Sequence, residues 1–279
     1  MTLRIEHTQL AAPVPEDHPA DSHSQGDESP MLPKFLCIGA QKSGTTTLQL
    51  LLDAHPMVFL PKVKEVHYFS LHADAGPRWY ANHYTAALPR QLCGDITPYY
   101  LFHPEAPGRI QALFPGIRLI VLLRDPVERA LSQYFHSRRL GFESLALDQA
   151  LAAENERLAA AEAVLKAPDG RHASHQEHSY LSRSRYEHQL ARYELLFPAA
   201  QLLVLRSETF FSQPDAGWER LQQFLGLDPL PLPSAAIQAN AGQGEASWVP
   251  QNVRRRLREE LDPTYRVMAE RYGFFWSET

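Results

Sequence analysis

Apolar and polar positions come in blocks along this chain, and the blocks change period. Phe35-Leu-Cys-Ile38 is a continuous apolar run, the mark of a strand buried on both faces. A turn bounded by Gly39 and Gly44 follows, and then leucines at 48, 51 and 52 repeat with helical spacing. Residues 57–61 predict a short strand ending at Pro61, and residues 70–90 a helical excursion carrying Trp79, Tyr80 and Tyr84. Residues 91–96 predict a strand that breaks at Thr97-Pro98, and 104–114 a helix stopped by Pro115-Gly116. Ile117 to Leu123 is almost wholly apolar and predicts a central strand, with Arg124 at its C-terminal end. Pro126 then opens a helix with Val127, Ala130, Leu131 and Tyr134 on one face. Further helices are predicted over 143–167, 184–197, 215–226 and 251–272, with a strand over 201–206.

Strands alternating with helices predict an α/β fold: a three-layer, P-loop-like arrangement with a central parallel sheet flanked by helices. We expect one domain over 31–279, with a helical elaboration at about 141–185, preceded by a disordered acidic tail at 1–30. That tail holds six acidic residues against Arg4 alone, which accounts for the whole net charge of −5. It is poor in large apolar residues, so burial cannot offset its ordering entropy. His7, His18 and His23 within it read as incidental.

Composition narrows the function class. A net charge of −5 leaves no broad footprint for nucleic acid. Two cysteines, Cys37 and Cys93, imply no disulfide framework and fit a reduced, cytoplasmic setting. Cys37 lies inside the first apolar run, where a buried thiol is the expected reading. No apolar run approaches the ~18 residues of a membrane span, and no signal peptide is legible. His172, His175 and His178 leave two readings open, a metal site or a polar loop; their spacing without nearby Cys or paired carboxylates favours the loop. The arginines at 254, 255, 256 and 258 read by default as a solvated helix face.

The candidate chemistry starts at the first turn. Strand, Gly-turn and helix aim backbone N–H groups and a helix N-terminus at an anion. The spacing Gly39-x-x-x-x-Gly44 is that of a nucleotide-binding P-loop, yet Thr45 stands where the usual lysine should be, and the lysine comes earlier, at Lys42. Ser43, Gly44, Thr45 and Thr46 can donate to a 5′-phosphate, and Lys42 can reach the group being transferred. Arg124 and Ser132, eight residues apart, offer a guanidinium fork and a hydroxyl for a second phosphate. Two separate phosphate sites suit a nucleotide bisphosphate better than a triphosphate. Lys64, Glu65 and His67 sit together between apolar neighbours, either as a catalytic group or as a solvated salt bridge in a loop.

These motifs, in this order, resemble the sulfotransferases that use 3′-phosphoadenylyl sulfate (PAPS). Gly-Ala-Gln-Lys-Ser-Gly-Thr-Thr-Thr-Leu with His55-Pro56 is similar to their 5′-phosphosulfate loop. Leu-Arg124-Asp-Pro-Val-Glu-Arg129-Ala-Leu-Ser132-x-Tyr134 is similar to their 3′-phosphate motif. Lys64-Glu65-Val-His67-Tyr-Phe69 and Thr97-Pro98-x-Tyr100 resemble the heparan-sulfate branch. The resemblance covers roughly 33–210 and implies that PAPS is the co-substrate, adenosine 3′,5′-bisphosphate the product, and no metal is needed. It implies that Lys42 to Thr46 hold the 5′-phosphosulfate, with Lys42 on the leaving bridge oxygen. It also implies that Arg124 and Ser132 hold the 3′-phosphate, that Glu65 is the general base, and that His67 supports it. The implied acceptor is a hydroxyl of a saccharide, glycolipid or small molecule. Ile96 stands where the heparan branch carries a lysine, the later Lys-Gly-Arg phosphate loop is replaced by Asn240 to Glu245, and the disulfide pair and membrane anchor of Golgi enzymes have no counterpart, as in a soluble bacterial relative. A P-loop small-molecule kinase and a non-catalytic nucleotide-binding protein are the alternatives; the displaced lysine weighs against the first, and intact Lys42 and Glu65 against the second. Oligomeric state is not readable from the sequence.

Overall fold

The computed structural model describes residues 32–233 and 244–277. The tail expected at 1–30 and most of the loop expected after Asn240 lie outside the described residues. Five strands form one parallel sheet in the order β2-β3-β1-β4-β5: β1 Phe35–Gly39, β2 Val58–Phe59, β3 Leu92–Ile96, β4 Arg118–Leu123 and β5 Leu202–Arg206. After β1 the chain runs to the edge strand β2, returns to place β3 between β2 and β1, and then crosses to build β4 and β5 on the other side. The C-terminal end of β1 is therefore a topological switch point, where open α/β sheets bind ligands.

Helices cover both faces, in chain order α1 Thr45–Asp53, α2 Tyr68–Leu71, α3 Gly76–Asn82, α4 Ala106–Leu113, α5 Pro126–Arg139, α6 Leu147–Leu158, α7 Ala161–Leu165, α8 Ala173–Glu177, α9 Tyr186–Glu194, α10 Ser207–Ser212, α11 Pro214–Leu225, α12 Gln251–Glu260 and α13 Asp262–Tyr272. The two-residue period of the strands sorts their side chains into two cores. Phe35, Cys37, Ile120, Leu122, Leu203 and Leu205 pack with Leu48, Leu51 and Leu52 of α1 and Trp218, Leu221 and Leu225 of α11. Leu36, Ile38, Leu119, Val121 and Val204 face the other way, onto α4, α5, α9 and α13 and a tyrosine-rich cluster. Both cysteines are buried and free.

Four expectations are corrected. The helix expected over 143–167 is interrupted at Ala159-Ala160, giving α6 and α7. The histidine-bearing stretch at 171–179 is not a plain loop; it contains α8. Ser207–Ser212, for which the sequence predicts no element because it is too short to show a period, forms α10 and is an addition to these four. The single helix expected over 251–272 is two, because Pro263 lacks an N–H and ends α12 at Glu260 while sitting in the first turn of α13. Nor are its arginines a merely solvated face. Arg254 pairs with Glu128, and Arg258 lies 3.8 Å from Asp125 and 4.0 Å from the centroid of the Tyr265 ring.

Candidate active site

The loop after β1 turns in a way its sequence requires. Gly44 caps α1 with φ 95°, and a Cβ there would lie 2.4 Å from the ring of Phe211, so both backbone and space demand glycine. The first amides of α1, at Thr45 and Thr46, have no carbonyl one turn back to bond and face outward from the helix start. Two other elements grip the loop's backbone. Arg124, at the end of β4, donates to the Lys42 carbonyl at 3.4 Å, and Ser207 donates to the Ser43 carbonyl at 2.6 Å. The Ser43 hydroxyl is buried and has no partner.

Lys42 stands in a cationic surround. Its pKa is lowered to about 8, first by burial and then by Arg139, Arg124, Lys64 and Arg129. So many cations around one half-buried ammonium, with an orphaned hydroxyl and free helix-start amides, is the donor set of an anion site.

Arg124 and Ser132 sit on one line. Arg124 is 3.9 Å from Glu128, one turn into α5, and Ser132 lies half-buried one turn further. The start of α5 is specified locally. Asp125 accepts from the Glu128 amide at 3.0 Å, and Pro126 occupies the first helical turn. His136, Arg138 and Arg139 fall in its last turn, the favoured end for cations. One further turn carries His136, and nearly two carry Arg139, to positions that couple electrostatically to Lys42. Burial, then Lys42 and Arg139, push the His136 pKa down to about 4, so it is a neutral imidazole at pH 7. Sequence reasoning missed His136; its position one turn past Ser132 was the available signal.

The second loop carries Lys64, Glu65 and His67. Lys64 does not pair with Glu65; its ammonium donates to Thr46 Oγ1 at 3.0 Å and ties this loop to the start of α1. Glu65 Oε2 lies 3.4 Å from His67 Nε2, and His67 Nδ1 lies 3.0 Å from Ser70 Oγ. The solvated-salt-bridge reading therefore fails for Lys64. Among the described residues, the non-glycine positions with positive φ are Lys42 (71°), Glu65 (58°) and His67 (58°). Each costs of the order of 1–3 kcal/mol, and such strain collects where a site over-determines the backbone.

What over-determines the second loop is a buried carboxylate. Asp95, at the C-terminal end of β3, accepts from Tyr80 OH at 2.9 Å, Tyr100 OH at 2.8 Å and Thr97 Oγ1 at 2.7 Å. Thr97 Oγ1 in turn accepts from the His67 amide at 3.4 Å. Burial raises the Asp95 pKa, against the lowering effect of these three hydroxyls.

The histidine trio is three separate structural roles. His172 caps α8 by accepting from the His175 amide, His175 bonds Tyr99 OH at 2.8 Å, and His178 lies 2.9 Å from the Phe142 carbonyl. Burial, then Arg183, hold the His175 pKa at about 2. Among the described residues no group of three or more His, Cys, Asp or Glu could hold a metal ion.

Residues 32–240 match the family profile of the sulfotransferase domain, which is most of the chain. The chain belongs to the sulfotransferase family. It is 34% identical over 214 residues to human "Heparan sulfate glucosamine 3-O-sulfotransferase 3B1", covering 75% of this chain and 50% of that protein. It is 43% identical over 109 residues to "Membrane-associated sulfotransferase kil1" of Dictyostelium discoideum, covering 38% of this chain and 23% of that one. The chain thus spans half or less of the length of these curated relatives. A crystal structure of a sulfotransferase from Alicyclobacillus acidocaldarius shares the fold, with TM-score 0.71 and 22% identity over 88% of this chain and 98% of that one. The chain therefore carries a sulfotransferase domain with the P-loop-like α/β fold, in a family whose customary sulfuryl donor is PAPS. Among the described residues no helix is long and apolar enough to cross a membrane.

Proposed function

We propose that this sulfotransferase moves a sulfuryl group from PAPS to a hydroxyl of a saccharide or glycolipid acceptor. The observation that carries the reading is the pairing of two loops. The cationic loop at Lys42 and the carboxylate loop at Glu65 are tied by the 3.0 Å bond from Lys64 to Thr46. An anion donor and a hydroxyl acceptor would meet across that tie. The saccharide assignment is supported by the likeness to heparan sulfate glucosamine 3-O-sulfotransferases.

PAPS, when bound, supplies the activated sulfuryl group; the residues of this chain do the rest. Ser43, Gly44, Thr45 and Thr46 present donors to the 5′-phosphosulfate, and Arg124 with Ser132 holds the 3′-phosphate. Lys42 keeps its proton at the bridge oxygen, which takes up the bonding pair as the S–O bond breaks. Glu65 accepts the acceptor's hydroxyl proton as the new O–S bond forms, and His67, 3.4 Å away, orients the carboxylate. Transfer of this kind is mostly positioning and electrostatic stabilisation. We further read residues 31–279 as one domain whose helical segment, α6 to α8, shapes the acceptor cleft.

The test is incubation with ³⁵S-labelled PAPS and a panel of oligosaccharides, including heparan-type glucosamine oligosaccharides, followed by mass spectrometry. Labelled glycan together with adenosine 3′,5′-bisphosphate is expected. Label appearing only on non-carbohydrate hydroxyls would overturn the acceptor class, and no consumption of PAPS would overturn the donor.

A further inference from the structure

Three consecutive residues of the Lys42 loop are gripped from three directions. Arg124 takes the Lys42 carbonyl and Ser207 the Ser43 carbonyl, both from strand ends on the β4–β5 side of the sheet. The third grip differs. Gln41 Oε1 accepts from Arg183, which arrives from the segment between α8 and α9 and is 1% exposed. Arg183 also donates to the carbonyls of His175 at 2.8 Å and Gln176 at 2.9 Å. Its guanidinium carbon lies 5.2 Å from the centroid of the Tyr99 ring and 4.9 Å from that of Phe102. Tyr99 bonds His175 and sets its ring edge-on to His67, with centroids 6.0 Å apart. One buried cation therefore joins the donor loop to the aromatic wall behind the Glu65–His67 pair.

We propose that Arg183 is a positioning residue for sulfuryl transfer. Acting through Gln41, it sets the left-handed turn at Lys42 and so aims the Lys42 ammonium at the bond being broken. At 1% exposure and bonded to Gln41, His175 and Gln176, it acts through Gln41. A buried guanidinium with carbonyl partners and two ring faces is held rigidly, because each donor has a fixed direction. The Gln41 amide is then fixed relative to His67 rather than to the nucleotide side alone. Misplacing a reacting group by about 1 Å costs on the order of 10²-fold in rate. Nucleotide affinity is set by the amides, Arg124, Ser132 and the charge of Lys42, whereas the rate depends on where that charge is aimed. The proposal rests on the reading that Lys42 serves the transferred group.

The test compares Gln41→Leu, Gln41→Glu, Arg183→Met and the double variant Gln41→Leu/Arg183→Met. Turnover is read as adenosine 3′,5′-bisphosphate released from PAPS, with water alone and with the oligosaccharide panel, and Kd for the bisphosphate is read by calorimetry. We expect Gln41→Leu and Arg183→Met each to lower kcat by about 10- to 100-fold with Kd within about twofold. Gln41→Glu keeps the acceptor oxygens for Arg183 and is faster than Gln41→Leu, though its added charge in the anion loop leaves it slower than wild type, and the double variant is no slower than the slower single variant. If Arg183→Met does not fold, the contrast between Gln41→Leu and Gln41→Glu decides alone. Overturning results are a folded Gln41→Leu with wild-type kcat, losses that multiply in the double variant, or a Kd that weakens in step with kcat. Wild-type protein that binds the bisphosphate but never turns over PAPS would instead refute the donor reading, and this proposal with it.

Discussion

Lys42 is the residue whose ionisation should be visible in nucleotide binding. Burial and four neighbouring cations lower its pKa to about 8, from 10.5. With that value the ammonium is about 90% protonated at pH 7 and about 10% at pH 9. A bisphosphate needs the charged form, because each of its phosphates is already fully ionised above pH 7, with second pKa values of about 6. Affinity should therefore fall by about tenfold between pH 7 and pH 9, equivalent to about 1.4 kcal/mol, and most steeply above pH 8. The sign follows from linkage. The bound anion raises the Lys42 pKa, so binding takes up a proton wherever the free protein has lost it. In the free protein the sign is opposite. Between about pH 8 and 10.5 the folded chain carries fewer protons at Lys42 than the unfolded chain, so this group's contribution to stability grows as pH rises through that window. Calorimetry of adenosine 3′,5′-bisphosphate in two buffers of different ionisation enthalpy, across pH 7–9, measures both affinity and proton uptake. Lys42→Arg, always charged, should bind with nearly constant affinity over the same range. A flat wild-type profile, or an equal slope in Lys42→Arg, would refute the assignment.

Other outcomes follow from the same geometry. Glu65→Gln should lower kcat/KM by about 10²–10⁴-fold in PAPS turnover while leaving bisphosphate affinity intact; an unaltered rate shows that Glu65 is not the base. Arg124→Ala should weaken the 3′,5′-bisphosphate by about 10- to 100-fold but leave adenosine 5′-monophosphate nearly unchanged, a contrast that disappears if Arg124 does not meet the 3′-phosphate. Asp95→Asn turns one acceptor of the Tyr80, Tyr100 and Thr97 hydroxyls into a donor. It should cost about 1–3 kcal/mol, seen as a Tm fall of several degrees, and should slow turnover by loosening His67. A melting temperature equal to wild type would show that the triad of hydroxyls does not need the carboxylate.

Legibility in the sequence followed the range of the interactions. The Lys42 loop, the Asp125-Pro126 start of α5 and the apolar strands are local devices, set by glycine, caps and period, and each was read within a residue or two. The Glu65–His67 loop was legible as a cluster but not as a geometry. Its left-handed turns are held by Thr97, 30 residues away, and Thr97 by Asp95. The grip of Arg183 on Gln41 spans 142 residues and has no periodic or compositional signature. The arginines of α12 read as solvent-facing because their carboxylate partners, Glu128 and Asp125, lie in α5 and at its cap. Short elements escaped for a related reason: α8 and α10 hold five and six residues, too few to display a helical period.

In the proposed site the Lys42 loop and the Arg124–Ser132 pair together hold a nucleotide with separate 3′- and 5′-phosphates. Titration calorimetry of the full chain with adenosine 3′,5′-bisphosphate, and separately with ATP and Mg²⁺, tests it directly. Stoichiometric binding of the bisphosphate, tighter than that of ATP and weakened in both Lys42→Ala and Arg124→Ala, is the predicted result. Binding of ATP with Mg²⁺ in preference to the bisphosphate, or no binding of the bisphosphate at all, would contradict it.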